Sequence, residues 1–140
     1  MAAIGTRKLK LEVDGVEKSP EVSNVRITSG EAESDFVTFE QASQGGARDY
    51  ALVITLVQDA ADGSLWTQIF DEAGTDVPYS VQPYGNAIPD IGEPHFEGTC
   101  TITEPDGDLL GGEANKSNTA KMTIEVTFPC TAKPTKVTAP

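Results

Sequence analysis

The sequence offers few combinations of residues that could catalyse a reaction. The chain of 140 residues has a single histidine, His95, which follows Pro94 at the start of a predicted strand, a position more often structural than catalytic. No serine lies in a nucleophile-elbow pattern, and one histidine can fill only one role in a catalytic triad. Carboxylates are plentiful enough for a glycosidase, but aromatic residues make up only 6% of the chain and offer few rings for sugar stacking. We therefore expect neither enzymatic activity nor a cofactor.

The long polar loop over Glu104–Asn118 contains a superficial likeness to a calcium site. Asp106, Asp108 and Glu113 supply carboxylates, but the ligand spacing of an EF-hand is missing. A solvated acidic loop is the better interpretation, and we expect no metal site.

The two cysteines, Cys100 and Cys130, could form a disulfide only if the fold brings them together. If the strand of Cys100 forms a hairpin with Met122–Phe128, Cys100 faces about Thr123. Cys130 would then lie about 23 Å further along, at about 3.3 Å per residue. A disulfide requires Cα atoms within about 7 Å, so this register favours two free thiols.

The net charge of the chain restricts the kinds of partner that it can bind. Acidic residues number 22 and basic residues 10, which gives a net charge of −12. This excess of acidic residues argues against tight binding of nucleic acid, because phosphate contacts require Lys and Arg. It also argues against binding to anionic lipid surfaces. No apolar run approaches the roughly 18 residues of a membrane helix, and the N-terminus lacks the apolar region of a signal peptide. We expect folding in a reducing cytoplasm without a membrane partner.

The composition and the alternation of apolar and polar residues predict a fold built mainly from β-strands. The chain has 15 Thr and 11 Val, and β-branched residues fit pleated sheets better than helices. Apolar and polar residues alternate along most segments, although Tyr50–Gln58 is apolar at nearly every position and is expected to be covered on both faces. The predicted strands lie at about 8–13, Val25–Ile27, Phe36–Phe39, Tyr50–Gln58, Val77–Gln82, Phe96–Thr103 and Lys121–Phe128.

One short helix is predicted between two of these strands. Asp62 or Ser64 would be its N-cap, and Gly74 would follow its last turn. The residues of its predicted apolar stripe are Leu65, Trp66, Ile69 and Phe70. With about seven strands and this helix, the sequence predicts a single mainly-β domain over 1–140: a β-sandwich or half-open barrel with a short flanking helix, an arm at 1–6 and an unpaired Pro-rich tail at 129–140.

Several stretches carry a family likeness. The order of elements around DGSLWTQIFDEAG, the segment FDEAGTDVPYSVQPYG at Phe70–Gly85 and the segment GDLLGGEANKSNTAKMTIEVTFPCTAKPTKVT at Gly107–Thr138 resemble the tail tube subunit, or major tail protein, of phages with long non-contractile tails. The likeness extends over most of the chain.

The resemblance implies a structural virion protein without covalent chemistry. Proteins of this family assemble as hexameric rings that stack into a hollow tail tube, through which the genome passes into the host. Their other partners are the tape measure, tail terminator and tail tip proteins. It further implies assembly in the cytoplasm of a host bacterium and residence in the virion tail, with DNA passing through without tight binding.

Two sets of residues are the candidate functional surfaces. A hairpin face of short hydroxyls and carboxylates hydrates well and offers few cationic anchors, so it is the candidate lumen face: Glu97, Thr99, Thr101, Thr103, Thr123, Glu125 and Thr127. The candidate inter-subunit contacts are Leu109, Leu110, Gly111, Gly112, Gly45, Gly46, Asp71, Glu72 and Pro134. Leu109 and Leu110 either fold back on their own core or bury in a partner, and deletion of Thr131–Pro140 is expected to leave a folded monomer that polymerises poorly.

Other classes share these patterns. An immunoglobulin-like binding or adhesion module has the same strand count and Thr-rich faces. A phage head decoration protein is also small, β-rich and acidic. The first predicts a stable monomer with a cluster of binding loops, and the second predicts binding to a capsid lattice.

Overall fold

The computed structural model describes residues 3–31, 39, 48–114, 116–117 and 120–139. The predicted strand Phe36–Phe39 lies almost entirely outside these residues, as do Gly45 and Gly46. The elements, in chain order, are strands β1 (Lys10–Val13), β2 (Val16–Glu17), β3 (Val22–Glu31) and β4 (Arg48–Val57), helix α1 (Leu65–Glu72), and strands β5 (Asp76–Gln82), β6 (His95–Thr101), β7 (Thr123–Pro129) and β8 (Thr135–Val137). A 3-10 turn, Ser19–Glu21, precedes β3.

The strands form two antiparallel sheets. A five-stranded sheet has the order β2-β1-β5-β6-β8, and a three-stranded sheet has the order β3-β4-β7. Their facing sides enclose one cluster of buried apolar residues, to which both sheets and α1 contribute. The predicted fold class, a mainly-β sandwich with one short helix, is confirmed.

Alternating side chains build the core from both sheets. In the three-stranded sheet, Leu52, Ile54 and Leu56 of β4 are fully buried and pair with Phe128, Val126 and Ile124 of β7. The opposite face of β4 is covered only in part: Val53 is buried between its cross-strand neighbours, whereas Ala51, Thr55 and Val57 are half-buried. The expectation that both faces of this strand are covered is therefore met only at Val53.

Local sequence signals set the β1–β2 hairpin. Asp14 and Gly15 have positive φ values of 55° and 78°, the geometry of the type I′ turn that an Asp-Gly pair favours. Val13 and Val16 pair directly across this turn.

Helix α1 starts and ends where the sequence indicates. The hydroxyl of Ser64 accepts a hydrogen bond from the backbone N–H of Thr67 at 3.2 Å, and Gly74 adopts a φ of 95° just after the helix. A second cap comes from a distant residue, since the carboxylate of Glu21 accepts from the N–H of Leu65 at 2.9 Å. The predicted stripe is wrong at Phe70, which is 56% exposed and stacks on the buried Trp66 instead of entering the core.

The C-terminal segment is not the unpaired tail that its prolines predicted. Pro129 ends β7, and β8 pairs antiparallel with β6 as the edge strand of the five-stranded sheet. Prolines are tolerated there because Pro134 precedes β8 and so needs no ladder hydrogen bond within it.

Among the described residues, the structure has no helix of the length and apolar character needed to span a membrane.

Candidate functional site

The outward face of the five-stranded sheet is acidic and rich in hydroxyl groups. Because side chains alternate along a strand, the residues between the buried positions of β1, β5 and β6 all lie on this face. Its polar members are Glu12, Glu17, Asp76, Ser80, Glu97, Thr99, Thr101 and Thr135. We call this set the acidic face; Lys10, Gln82 and His95 share it by register, and the last two are buried.

Strand register aligns carboxylates across the acidic face. Glu17 pairs with Glu12, Glu12 with Ser80, and Ser80 with Glu97. Like charges directly opposite each other destabilise a sheet by a few tenths to about 1 kcal/mol. The side-chain amide of Gln82 relieves part of this repulsion by donating to Glu12 at 2.6 Å.

Hydroxyl groups of this face point toward neighbouring acceptors. The Thr101 hydroxyl donates to the carboxylate of Asp76 at 2.6 Å, across the paired strands β5 and β6. The Thr131 hydroxyl donates to the carbonyl of Thr99 at 3.3 Å.

The predicted hairpin face is wrong in its register. β6 and β7 belong to different sheets, and Cys100 lies opposite Cys130 instead of Thr123. The predicted lumen residues therefore divide between two surfaces. Glu97, Thr99 and Thr101 lie on the acidic face, whereas Thr123, Glu125 and Thr127 lie on the outward face of the three-stranded sheet.

Thr103 joins the two sheets at their common corner. It follows β6, and its hydroxyl donates to the carbonyl of Thr127 at 2.6 Å. On the three-stranded sheet, Glu125 lies 3.6 Å from the guanidinium of Arg26, so its charge is partly neutralised. That surface is therefore less anionic than the acidic face.

Sequence reasoning missed five members of the acidic face: Glu12, Glu17, Asp76, Ser80 and Thr135. A signal was present for the first two, because Glu12 alternates with apolar residues and the Asp-Gly turn brings Glu17 back beside it. Thr135 had no such signal, since only the return of the chain beside β6 places it there.

The predicted contact residues Leu109 and Leu110 have opposite environments. Leu109 packs against the core cluster, and its carbonyl accepts from the indole N–H of Trp66 at 2.9 Å. Leu110 is 72% exposed. The sequence left two alternatives open for these leucines. Leu109 packs on the core of its own chain, and Leu110 is available for contact with a partner.

Gly111 is anchored within its own chain. The side-chain amide of Gln58 donates to the carbonyl of Gly111 at 2.9 Å, and its oxygen accepts from the N–H of Gly111 at 2.7 Å. Gly112, the next residue, is exposed. Gly111, a predicted inter-subunit contact, is therefore held in place by its own chain.

Asp71 and Glu72 line an acidic groove of about 300 Å3 between the β1–β2 hairpin and α1. Both are exposed in the last turn of the helix, which contains no basic residue, so the helix dipole disfavours them there. Asp14 and Asp62 also line the groove, and the ammonium of Lys18 at its wall is held by the carbonyl of Gly63 at 2.7 Å. Pro134, the remaining predicted contact, is half-buried beside β8.

His95 makes its contacts within its own chain. It is buried, and its Nε2 lies 2.8 Å from the carbonyl oxygen of Asn86 in the loop that follows β5. Its Nδ1 lies 4.0 Å from the carboxylate of Glu97. Among the described residues, no group of three His, Cys, Asp or Glu side chains is arranged to hold a metal ion.

No family model matches the chain, and no curated protein matches it significantly.

Proposed function

We propose that the protein is a structural subunit of a hollow tube, the tail tube of a phage with a long non-contractile tail. In this proposal the acidic face lines the bore, and double-stranded DNA passes through without binding tightly. The chain performs no covalent chemistry. Its other partners are the tape measure, tail terminator and tail tip proteins, and it resides in the virion tail after assembly in the host cytoplasm.

The observation that carries the proposal is the row formed by Glu17, Glu12, Ser80 and Glu97 across the outward face of the five-stranded sheet. An isolated sheet gains nothing from placing Glu12 directly opposite Glu17, because the two charges repel each other. Retained local conflicts of this kind are expected at functional surfaces. A wall for a sliding polyanion requires this arrangement, since each basic contact to a phosphate would add salt-dependent retention.

The outer strands of the five-stranded sheet supply the means of closing a ring. β2 and β8 are its edge strands, of 2 and 3 residues. Short edges resist uncontrolled pairing but can still accept a strand from a correctly placed neighbour. Lateral joining at these edges would continue the acidic face from subunit to subunit and enclose it.

Exposed features outside the acidic face would then make the contacts within and between rings. Leu110 presents an apolar side chain on a loop that Gln58 holds in place. The groove lined by Asp71 and Glu72 offers a negative recess to a basic side chain of a neighbour. Pro134 lies beside the edge strand β8 and would come close to any chain that pairs there.

Electron microscopy of the concentrated, purified protein tests the proposal. Hollow tubes of uniform bore, with Glu12, Glu17 and Glu97 lining the channel in a reconstructed map, are the expected result. Tubes whose bore is lined by the Arg26–Glu125 surface would contradict the placement of the acidic face. A stable monomer under all conditions, with a ligand bound at its loops, would favour an immunoglobulin-like binding module instead.

A matched pair of variants separates the two surfaces. Glu97→Gln and Glu125→Gln each remove one carboxylate from an outward strand face, one on the five-stranded and one on the three-stranded sheet. In assembled tubes, only Glu97→Gln is expected to lower the uptake of a small cation probe, such as terbium, into the bore. Equal effects of both substitutions would contradict the assignment.

A further inference from the structure

Cys100 and Cys130 are cross-strand partners at the corner where the two sheets meet. They form an isolated antiparallel bridge. The N–H of Cys130 donates to Tyr50 of the three-stranded sheet at 2.8 Å, and the N–H of Thr131 donates to Thr99 of the five-stranded sheet at 3.0 Å. The chain thus passes from one sheet to the other at residue 130, and the predicted separation of the two thiols is wrong.

The hydrogen-bond pattern defines the type of pair. Thr131 and Thr99, which flank the two cysteines, make the bond, so Cys100 and Cys130 are a non-hydrogen-bonded pair. In such pairs the Cα atoms are about 4.5 Å apart and the side chains lie on the same side. Disulfides need Cα atoms about 4.4–6.8 Å apart, so the backbone already has a spacing that a disulfide accepts.

Both side chains face the same interior. Cys100 is fully buried, and Cys130 is half-buried and packs against the core cluster. The Cys130 thiol lies 3.5 Å from the phenol oxygen of Tyr79. Both sulfurs are free in the structure, so bond formation requires the two side chains to turn toward each other.

We propose that Cys100 and Cys130 are a disulfide site that covalently joins the two sheets when the protein meets a small-molecule disulfide such as oxidised glutathione. The Cys130 thiolate attacks one sulfur of the oxidant, and one glutathione thiolate leaves. The Cys100 thiolate then attacks the Cys130 sulfur and displaces the second glutathione. Two protein thiols are oxidised to one disulfide, and one glutathione disulfide is reduced to two thiols, which take up the two protons.

Burial sets the order and the speed of these steps. Cys130 is the more accessible thiol and reacts first. Burial raises the pKa of Cys130 and raises that of Cys100 to about 12, and only thiolates attack disulfides. Oxidation is therefore slow near neutral pH and accelerates as the pH is raised, which keeps the thiols reduced in a reducing compartment.

The test uses the whole chain, which has 2 cysteines and therefore one possible intramolecular disulfide. The dispersed protein is equilibrated in glutathione buffers of increasing oxidised fraction, denatured, alkylated and weighed by mass spectrometry. The expected product lacks two hydrogens, takes up no alkylating agent and contains no glutathione. Its melting temperature is higher by about 10 °C than that of the reduced protein.

Cys130→Ala is the matched control, because it removes the half-buried thiol and leaves Cys100 in place. It is expected to melt at the same temperature in oxidising and reducing buffers, even if Cys100→Ala fails to fold. A wild-type protein that remains doubly alkylated, stops at a glutathione adduct, or forms only disulfide-linked dimers would overturn the proposal. None of these readouts depends on tube formation, so the disulfide site and the proposed function can fail separately.

Discussion

Gln58 holds the loop that carries Leu110. Its side chain bonds both the N–H and the carbonyl of Gly111, and it also donates to the carbonyl of Thr123 at 3.2 Å. A single amide thereby connects the end of β4, the loop and the start of β7. The position of Leu110 relative to the body of the protein depends on this side chain.

Replacing Gln58 by Met should release the loop. The substitution keeps the side-chain volume but removes the bonds to Gly111, and unsatisfied polar groups of this kind cost about 1–3 kcal/mol. We expect faster hydrogen exchange of the Gly111 amide and a lower free energy of unfolding, measured by urea denaturation. Gln68→Met, at a half-buried helix position, is the control and should leave both quantities nearly unchanged. If Gln58→Met leaves the hydrogen exchange of the Gly111 amide unchanged, then Gln58 does not hold the loop.

Tyr79, Cys100 and Cys130 make the stability of the protein sensitive to alkaline pH. Burial raises the pKa of all three groups above their ordinary values, and the contact between Tyr79 and Cys130 adds to the shift of the tyrosine. The folded state therefore retains protons that the unfolded state releases above about pH 9. Their contribution to stability is complete below that pH and is lost as the pH rises.

The free energy of unfolding should accordingly fall between about pH 9 and pH 11. Urea denaturation in a series of buffers, with a reductant present to keep the thiols free, measures this slope. Tyr79→Phe removes one of the titrating groups and should give a shallower decline, although its stability at neutral pH also falls slightly. A stability that rises over this range, or a steeper decline in Tyr79→Phe, would contradict the assignment.

At the scale of elements, the main difference from the sequence prediction is strand β8. The segment predicted to be an unpaired tail forms this edge strand of the five-stranded sheet. It pairs with His95, Phe96 and Glu97 of β6. Deleting Thr131–Pro140 therefore removes a strand as well as a tail, so the folded monomer expected from this deletion should also be less stable than the full chain. The same deletion removes the backbone bond from Thr131 to Thr99.

Two truncations separate β8 from the residues beyond it. A chain ending at Lys133 lacks β8 and should be destabilised by about 1–3 kcal/mol, because Phe96 and His95 lose their neighbouring strand. A chain ending at Thr138 retains β8 and should melt like the full chain. If β8 also closes the ring, only the shorter chain will fail to polymerise; normal tubes from it would exclude β8 from the interface.

At the scale of the whole molecule, the distribution of charge matters more than its total. The net charge of −12 belongs to the entire chain, but the structure places Glu12, Glu17, Asp76 and Glu97 on the acidic face and pairs Glu125 with Arg26 elsewhere. A surface of this kind repels phosphate groups at distances up to about a Debye length, about 8 Å at physiological salt.

Duplex DNA should therefore not be retained by the protein at about 0.15 M salt. An electrophoretic mobility shift assay with the wild-type chain is expected to show no complex. The double variant Glu12→Lys, Glu97→Lys should bind DNA, and this binding should weaken as the salt concentration rises. The control double variant, Thr123→Lys with Glu125→Lys, places two lysines on the outward face of the three-stranded sheet. It tests whether a basic patch elsewhere on the protein also binds DNA. Tight binding of DNA by the wild-type chain would contradict the proposal that DNA passes freely along the acidic face.

The sequence by itself determined strands β1 and β3 to β7, the helix with Ser64 and Gly74 at its ends, and the Asp-Gly turn, because alternation, capping and turn chemistry are properties of neighbouring residues. Only the tertiary structure decided that β6 and β7 lie in different sheets, that Cys100 meets Cys130, and that the C-terminal segment returns beside β6. These pairings join residues far apart in the chain, and alternating strands admit several registers with similar local patterns. The burial of both sheets around one core selects among them, so the members of the acidic face could be assigned only from the fold.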